Sequence, residues 1–149
     1  MTQLVVFSLG SEGYGLPITQ VQEIIRYTRP RTVPAASAMV SGVIDLRSKV
    51  IPVCDLGQAL GLSAEPATDS DAAEHRKIVI LETALGAVGL VVDDVDKVMT
   101  IDAADIDTNR AAEAPFIDGI AKVGDELFVL LAPDALVASF GIGLDTLAA

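Results

Sequence analysis

Two groups of aspartates are the residues of this sequence whose chemistry is easiest to recognise. The second half of the chain places three aspartates within four positions and three more within six: Asp93, Asp94, Asp96, Asp102, Asp105 and Asp107. Carboxylates at such spacing are ligands that Ca²⁺ prefers. Neither group has the central glycine and terminal glutamate of a calcium-binding loop. The sequence therefore predicts no metal site.

Nucleophilic and proton-transferring side chains are scarce. His75 is the only histidine, and it lies in a polar stretch, so neither a catalytic triad nor a multi-histidine metal site can be assembled. Cys54 is the only cysteine, which excludes an internal disulfide, and within IPVCDL it is expected to fill the core. Nothing in the spacing nominates a pair of carboxylates for acid–base catalysis. The sequence predicts no catalytic residue and no cofactor.

A short charged island interrupts an otherwise apolar stretch, VIDLRSKVIPVCDL. Residues 45–49, Asp-Leu-Arg-Ser-Lys, separate two apolar runs that have the pattern of paired strands. Two interpretations are open. The island is either a solvated turn or a surface at a hairpin tip that contacts another molecule.

Composition limits the class of protein and its partners. The chain has 149 residues, a net charge of −11, 51% hydrophobic residues and a mean hydropathy of +0.51. Such apolar content in a small chain leaves hydrophobic surface for partner proteins, whereas the negative charge disfavours nucleic acids and anionic membranes. The N-terminus lacks a basic leader, and no uncharged apolar run reaches about 18 residues. We therefore expect a cytoplasmic protein without membrane insertion.

Short β-branched and aliphatic runs, separated by glycine, proline and aspartate, predict an all-β fold of barrels or sandwiches. The apolar residues of ITQVQEIIRY (18–27) recur at a helical period, which predicts a short helix. DLGQALGL (55–62) predicts a helical turn, and Gly124-Asp125 predicts the turn of a hairpin. Residues 63–76 are polar and predict a loop.

The two halves of the chain resemble each other. Residues 15–24 match 89–98 in apolar placement, and residues 40–56 resemble 117–133. Because each unit alone is too small to bury a good core, the repeat predicts two similar small barrels packed on each other. The first hairpin tip carries Arg47 where the second carries glycine and aspartate. This difference indicates that the first tip has a role of its own, with neutral drift as the alternative.

The segments YGLPITQVQEI, VSGVIDLRSKVIPVCDL, VGLVVDDVDKV and FIDGIAKVGDELFVLL, in this order, resemble the CheW-like domain family. The likeness covers nearly the whole chain, and its most specific part is DLRSKVIPVCDL. The resemblance implies one domain over residues 1–149, all-β with short helices, built from two packed, SH3-like, five-stranded β-barrels. The first barrel is expected at about residues 13–80, the second at about 1–12 plus 81–137, and a tail at 138–149.

The resemblance also implies a partner-binding surface, which comprises Val21, Glu23, Gly42, Leu46 and Arg47. Arg47 corresponds to the arginine of the family's turn motif and is expected beside Glu23 at the wall of a partner groove. Val21 is equally consistent with core packing, and Gly42 with a close approach between strands.

Two residues of the tip depart from the family's NLRG motif. Asp45 stands in place of the asparagine and Ser48 in place of the glycine. If Ser48 adopts a positive φ, a residue other than glycine costs about 1 kcal/mol there, or else the turn has changed type. Either outcome affects the orientation of Arg47. The second hairpin departs too, with Ala132 where the family usually has aspartate.

Members of this family are not enzymes. The resemblance implies a non-catalytic adaptor that joins the cytoplasmic tip of transmembrane chemoreceptors to the regulatory domain of the histidine kinase CheA. Such an adaptor is cytoplasmic, is recruited to receptor arrays and binds no cofactor. A rival hypothesis is a sensory domain that holds a small molecule in a cavity between the barrels, and an enzyme is a third hypothesis.

Overall fold

A computed structural model of the chain describes residues 2–10, 12–32, 41–59, 75–84, 86–107 and 116–140. Over these segments the strands are β1 Thr2–Leu9, β2 Glu12–Pro17, β3 Val21–Arg26, β4 Gly42–Leu46, β5 Lys49–Asp55, β6 Lys77–Thr83, β7 Gly86–Val92, β8 Asp94–Ile101, β9 Ile106–Asp107, β10 Ile117–Val123 and β11 Glu126–Leu131. The helices are α1 Leu56–Ala59, α2 Pro133–Phe140 and the 3₁₀ helices Ile18–Gln20 and Ala103–Asp105. The predicted all-β class with short helices is confirmed. Most of the predicted loop at 63–76 and the end of the predicted tail lie outside the described residues.

The described strands form two sheets. The first module is a five-stranded sheet in the order β3-β6-β7-β5-β4, and the second module is a six-stranded sheet in the order β8-β1-β2-β11-β10-β9. The pairs β5·β7 and β11·β2 are parallel, and the other neighbours are antiparallel. The expectation of five strands is met in the first module. The second has a sixth because the two-residue strand β9 adds to its edge.

The chain that follows one edge strand of each sheet returns to the opposite edge. After β3, Arg31 exchanges two backbone hydrogen bonds of 2.8 Å with Val43 of β4. After β8, strand β9 pairs with β10. These pairings join the two edges of each sheet, which is how small barrels remove exposed strand edges.

The strand registers agree with the internal repeat. Strands β3 to β7 of the first module correspond, in order, to β8, β10, β11, β1 and β2 of the second. Residue pairs that face each other in the first module have equivalents in the second. The pair Val21–Leu81 corresponds to Val95–Phe7, and the pair Gly42–Val53 corresponds to Gly119–Leu130. The glycines and valines that revealed the repeat in the sequence therefore occupy equivalent places.

The helix predicted within residues 18–27 is wrong beyond its first turn. Only Ile18–Gln20 is helical, and the chain continues as strand β3, which pairs with β6 along its length. Three β-branched residues at helical spacing, Val21, Ile24 and Ile25, also suit a strand. The pairing with β6 decides between the two, because tertiary contacts override weak local preferences.

The predicted division of the chain between the barrels also differs from the sheets. Strand β2 was expected with the first barrel and β7 with the second, but β2 pairs with β1 and β7 pairs with β6. Each is the return strand of an antiparallel hairpin, and a tight turn keeps consecutive strands in one sheet. The predicted start of the tail at residue 138 falls inside α2.

Three clusters of buried apolar side chains form the core. One fills the second module and comprises Leu4, Val6, Ile101, Ala121, Phe128 and Leu130. One fills the first module and comprises Ile44, Ile51, Val53, Ile78, Ile80 and Val91. The third, called here the central core, lies between the modules and comprises Phe7, Leu9, Tyr14, Leu16, Cys54, Leu56, Val79, Leu81, Val88, Leu90, Val92, Leu131, Leu136 and Val137. Alternate residues of β6 enter two different clusters, which explains its continuous apolar run.

The central core bears on two predictions. Its side chains occupy the region between the modules in which the sensor hypothesis requires a ligand cavity. Cys54 is fully buried there, as expected of a core residue. Burial, together with the neighbouring Asp55 carboxylate, raises the pKa of the Cys54 thiol to about 12, so the thiol stays protonated at neutral pH.

Among the described helices, none is both long and apolar enough to cross a membrane.

Candidate partner-binding site

The charged island forms the tip of the β4–β5 hairpin. Leu46 faces Lys49, and the two residues between them turn the chain. Arg47 and Ser48 both have positive φ, 52° and 69°, which is the pattern of a type I′ turn. Ser48 thus keeps the backbone conformation that favours glycine, and it does so next to a second left-handed residue. Of the two alternatives, the positive φ of Ser48 is therefore the one observed, and it carries a cost of about 1 kcal/mol.

Arg47 lies beside Glu23 of β3, as predicted. Its Nη1 and Nη2 atoms lie 3.0 and 3.1 Å from the two carboxylate oxygens of Glu23, which makes the pair bidentate. The Arg47 side chain is 75% exposed and that of Glu23 20% exposed. The guanidinium therefore covers a half-buried carboxylate while one side of it faces solvent.

A β-bulge in β3 turns Glu23 toward the hairpin tip. Between Val21 and Glu23 the register against β6 shifts, so Val21 faces Leu81 whereas Glu23 faces Ile80. Leu81 belongs to the central core and Ile80 to the first-module core. The bulge thus separates the directions of two side chains that an unbroken strand would place on one face.

Gly42 is buried at the start of β4, the strand that leads to Arg47. A Cβ atom at this position would overlap the carbonyl oxygen of Arg31 and lie 2.8 Å from its carbonyl carbon. Those are the atoms that close the first module. The structure therefore supports the close approach between strands as the reason for this glycine, and any effect of Gly42 on a partner is indirect.

Val21 and Leu46 are half-buried. Val21 packs against the central core, and Leu46 packs against the first-module core on the strand that leads to Arg47. Each therefore has a packing role, while Val21 lies on the same strand as Glu23 and Leu46 directly precedes Arg47.

The sequence interpretation missed the exposed apolar residues of the surface. Ile24 is 39% exposed and Val50 is 55% exposed, and their counterparts in the second module, Val98 and Leu127, are 55% and 60% exposed. The helical period of residues 18–27 had placed Ile24 on one apolar face with Val21 and Ile25. The signal was the alternation of β3, in which residues 22, 24 and 26 point outward.

The second module presents a different surface at the equivalent place. Gly124 stands where the first module has Arg47, and Lys97 stands where it has Glu23. A groove of about 530 Å³ lies beside this tip, and its charged lining is four carboxylates and one ammonium group: Glu12, Asp96, Asp125, Glu126 and Lys97. The duplicated surfaces therefore differ in charge.

The second ion pair of note is structural. Arg76 Nη2 lies 2.9 Å from Asp55 Oδ2, and the Arg76 guanidinium lies 4.7 Å from the centre of the Tyr27 ring. Both charged side chains are mostly buried. Asp55 is the last residue of β5 and Arg76 directly precedes β6, so the ion pair holds the end of β5 close to the start of β6.

Some of the aspartates noted in the sequence accept hydrogen bonds from the backbone. Asp93 Oδ2 accepts a hydrogen bond of 2.5 Å from the N–H of Gly10, and Asp102 Oδ1 accepts one of 3.3 Å from Ala104. Within the described segments, no three histidine, cysteine, aspartate or glutamate side chains come together in a way that could hold a metal ion. His75 is exposed.

Comparison with known proteins agrees with this geometry. The family model of the CheW-like domain matches residues 3–140. The chain is similar to the chemotaxis protein CheW of Treponema pallidum, with 30% identity over 87% of this chain and 78% of the relative. It is also similar to the chemotaxis protein CheW of Rhizobium meliloti, with 30% identity over 92% and 88% of the two chains.

A solved structure resembles the chain throughout. The scaffolding protein CheW of Thermoanaerobacter tengcongensis superposes with a TM-score of 0.78 at 31% identity, covering 91% of this chain and 86% of that one. The family match and the structural similarity both extend over most of the chain and include the β4–β5 hairpin. The chain therefore belongs to the CheW-like domain family, a family of chemotaxis scaffold proteins rather than enzymes.

Proposed function

We propose that this chain is a non-catalytic adaptor that couples the cytoplasmic tip of transmembrane chemoreceptors to the regulatory domain of the histidine kinase CheA. The observation that carries the proposal is the bidentate Arg47–Glu23 pair at an exposed hairpin tip. The tip is held in a left-handed conformation at two residues other than glycine. Backbone strain that persists at an exposed position is typical of functional sites.

Energetics separate a role in binding from a role in folding. An exposed ion pair contributes only about 0–1 kcal/mol to stability, and two left-handed residues cost more than that. The tip therefore brings the fold no net stability. When a docked partner desolvates the pair, loss of one member would cost about 2–5 kcal/mol of binding.

Charged and apolar residues of the proposed partner-binding surface would contribute to binding in different ways. Glu23 and Arg47 set the register of the partner, and Ile24 and Val50 supply apolar area that is already exposed. An interface of about 800 Å² per partner would suit such an assembly. The second module, with its acidic groove, offers a separate surface, so two partners can be held at once. The adaptor would work in the cytoplasm and be recruited to receptor arrays.

Co-sedimentation tests the coupling directly. The full chain is mixed with a soluble fragment of a chemoreceptor tip and with the kinase, alone and together, and each mixture is centrifuged. We expect the kinase to sediment with the receptor fragment only when this chain is present. Sedimentation of the kinase that does not depend on the chain, or binding of neither partner, would refute the proposal.

A further inference from the structure

We infer that Asp134, on helix α2, is a positioning residue for the Arg47–Glu23 surface of the first module. One carboxylate oxygen of Asp134 connects the segment before β3 with the segment after β6, the two strands whose pairing orients Glu23. The expected effect on partner binding rests on the proposed function. The expected effect on the geometry of the ion pair does not.

The contacts form a small network at the meeting point of the two strands. Asp134 Oδ1 accepts a hydrogen bond of 2.8 Å from the backbone N–H of Ala84 and a longer one of 3.4 Å from Nε2 of Gln20. The same Nε2 atom donates to the carbonyl oxygen of Glu82 at 3.3 Å. Ala84 follows the last residue of β6, and Gln20 precedes the first residue of β3. The network therefore holds both strand ends against α2.

Strand β3 links this network to the ion pair. Gln20 is three residues from Glu23, a distance of about 10 Å along an extended chain, and the bulge that aims Glu23 lies between them. A bulge has fewer ladder hydrogen bonds to fix its register than a regular strand. The hydrogen bonds of Gln20 therefore restrain the part of β3 whose orientation is least fixed by strand pairing.

Helix α2, which carries Asp134, is itself fixed by packing in the core. Leu136 and Val137 are fully buried in the central core, and Asp134 lies in the first turn, where the helix dipole favours a carboxylate. The helix continues directly from the second module through β11. The position of a first-module strand is therefore tied to the packing between the two modules.

The experiment compares Asp134→Ala with Asp134→Asn, whose side-chain oxygen still accepts both hydrogen bonds. Asp118→Ala, at an exposed acid on β10, is the matched control. The Nε–Hε signal of Arg47 is recorded by NMR, with Glu23→Gln as the reference for a broken pair, and affinity for the receptor fragment is measured. We expect Asp134→Ala to move the signal toward the reference and to weaken binding about two- to tenfold, the range for one hydrogen bond. Asp134→Asn and Asp118→Ala should change neither.

A lower melting temperature for Asp134→Ala with an unmoved Arg47 signal would show a merely structural contact and overturn the inference. If Asp134→Ala does not fold, Gln20→Ala removes the link to β3 and keeps the bond to Ala84. An unmoved signal in that variant overturns the inference as well. If the signal moves but no variant, Glu23→Gln included, alters receptor binding, the positioning role stands and the proposed function fails.

Discussion

Arg47 and Glu23 form a bidentate ion pair between a hairpin tip and a strand that is separated from it in the sheet order. Their nitrogen and oxygen atoms lie 3.0 and 3.1 Å apart, although β3 and β4 are at opposite ends of the first-module sheet. The bridge between Arg31 and Val43 brings these ends together. The geometry of the pair therefore depends on the closure of the module and on the turn that carries Arg47, and both dependences can be tested.

Ser48→Gly should stabilise the protein. Ser48 has a φ of 69°, and a residue with a Cβ atom pays about 1 kcal/mol in this region that glycine does not. For a chain of this length the gain corresponds to a rise of about 2–4 °C in melting temperature, measured by thermal unfolding.

The second hairpin tip supplies the control for that substitution. Asp125 is the counterpart of Ser48, and its φ is not positive, whereas that of the preceding Gly124 is 62°. Asp125→Gly should therefore give no stabilisation. Equal gains from Ser48→Gly and Asp125→Gly would contradict the assignment of strain to the first tip.

Gly42→Ala should destabilise the protein by about 1–3 kcal/mol, the usual cost of an added methyl in a packed site. The new Cβ would overlap the Arg31 carbonyl and force open the bridge that closes the first module. Gly57→Ala is the control, because a Cβ there lies 3.5 Å from its nearest neighbour and Gly57 is within helix α1. Unfolding in denaturant measures both, and a loss in Gly42→Ala no larger than in Gly57→Ala would refute this role.

Cys54 should resist thiol reagents in the native protein. Its side chain is fully buried and its pKa is about 12, so at pH 8 almost no thiolate is present or accessible. Labelling with an aromatic disulfide, followed by absorbance, should be slow in buffer and fast in denaturant. Rapid labelling of the folded protein would place Cys54 outside the central core.

The raised pKa of Cys54 also makes the free energy of unfolding depend on pH. Because the folded pKa of Cys54 is raised from 9.0 to about 12, its contribution is complete below pH 9 and is lost as the pH rises from about 9 to 12. The pKa of Tyr14 is raised as well, by burial and then by Glu12, so Tyr14 adds to the loss above about pH 10. We expect Cys54→Ala to flatten the stability curve between pH 9 and 10, and an unchanged slope would contradict this.

Much of the fold could be predicted because the sequence repeats itself. Gly15 and Gly89, and Gly42 and Gly119, occupy matching positions since each leaves room for a neighbouring strand or side chain in its own module. The two hairpins were also predicted, with the turn of the second placed at Gly124-Asp125, because short charged or glycine-containing islands separate apolar runs there. The contact between Arg47 and Glu23 followed from the family resemblance, and the structure confirms it.

Other features depend on tertiary pairing that local pattern does not reveal. The residues around Ile24 fit a helix and a strand equally well until β6 is beside them. The sheet to which β2 and β7 belong is decided by their hairpins, and the two parallel pairings join strands distant in sequence. The exposure of Val50 and Leu127 was missed because apolar residues next to a turn are usually assigned to the core.

The central claim is that the hairpin tip serves binding rather than folding, and Arg47→Ala tests it most directly. Its melting temperature and its affinity for the receptor fragment and for the kinase are measured beside those of Lys49→Ala, an exposed neighbour on β5. We predict that Arg47→Ala stays within a few degrees of the parent melting temperature, because an exposed pair contributes little. Affinity for at least one partner should fall by about 2–5 kcal/mol, while Lys49→Ala changes neither quantity. Unchanged affinity for both partners, or a loss of stability as large as the loss of binding, would contradict the claim.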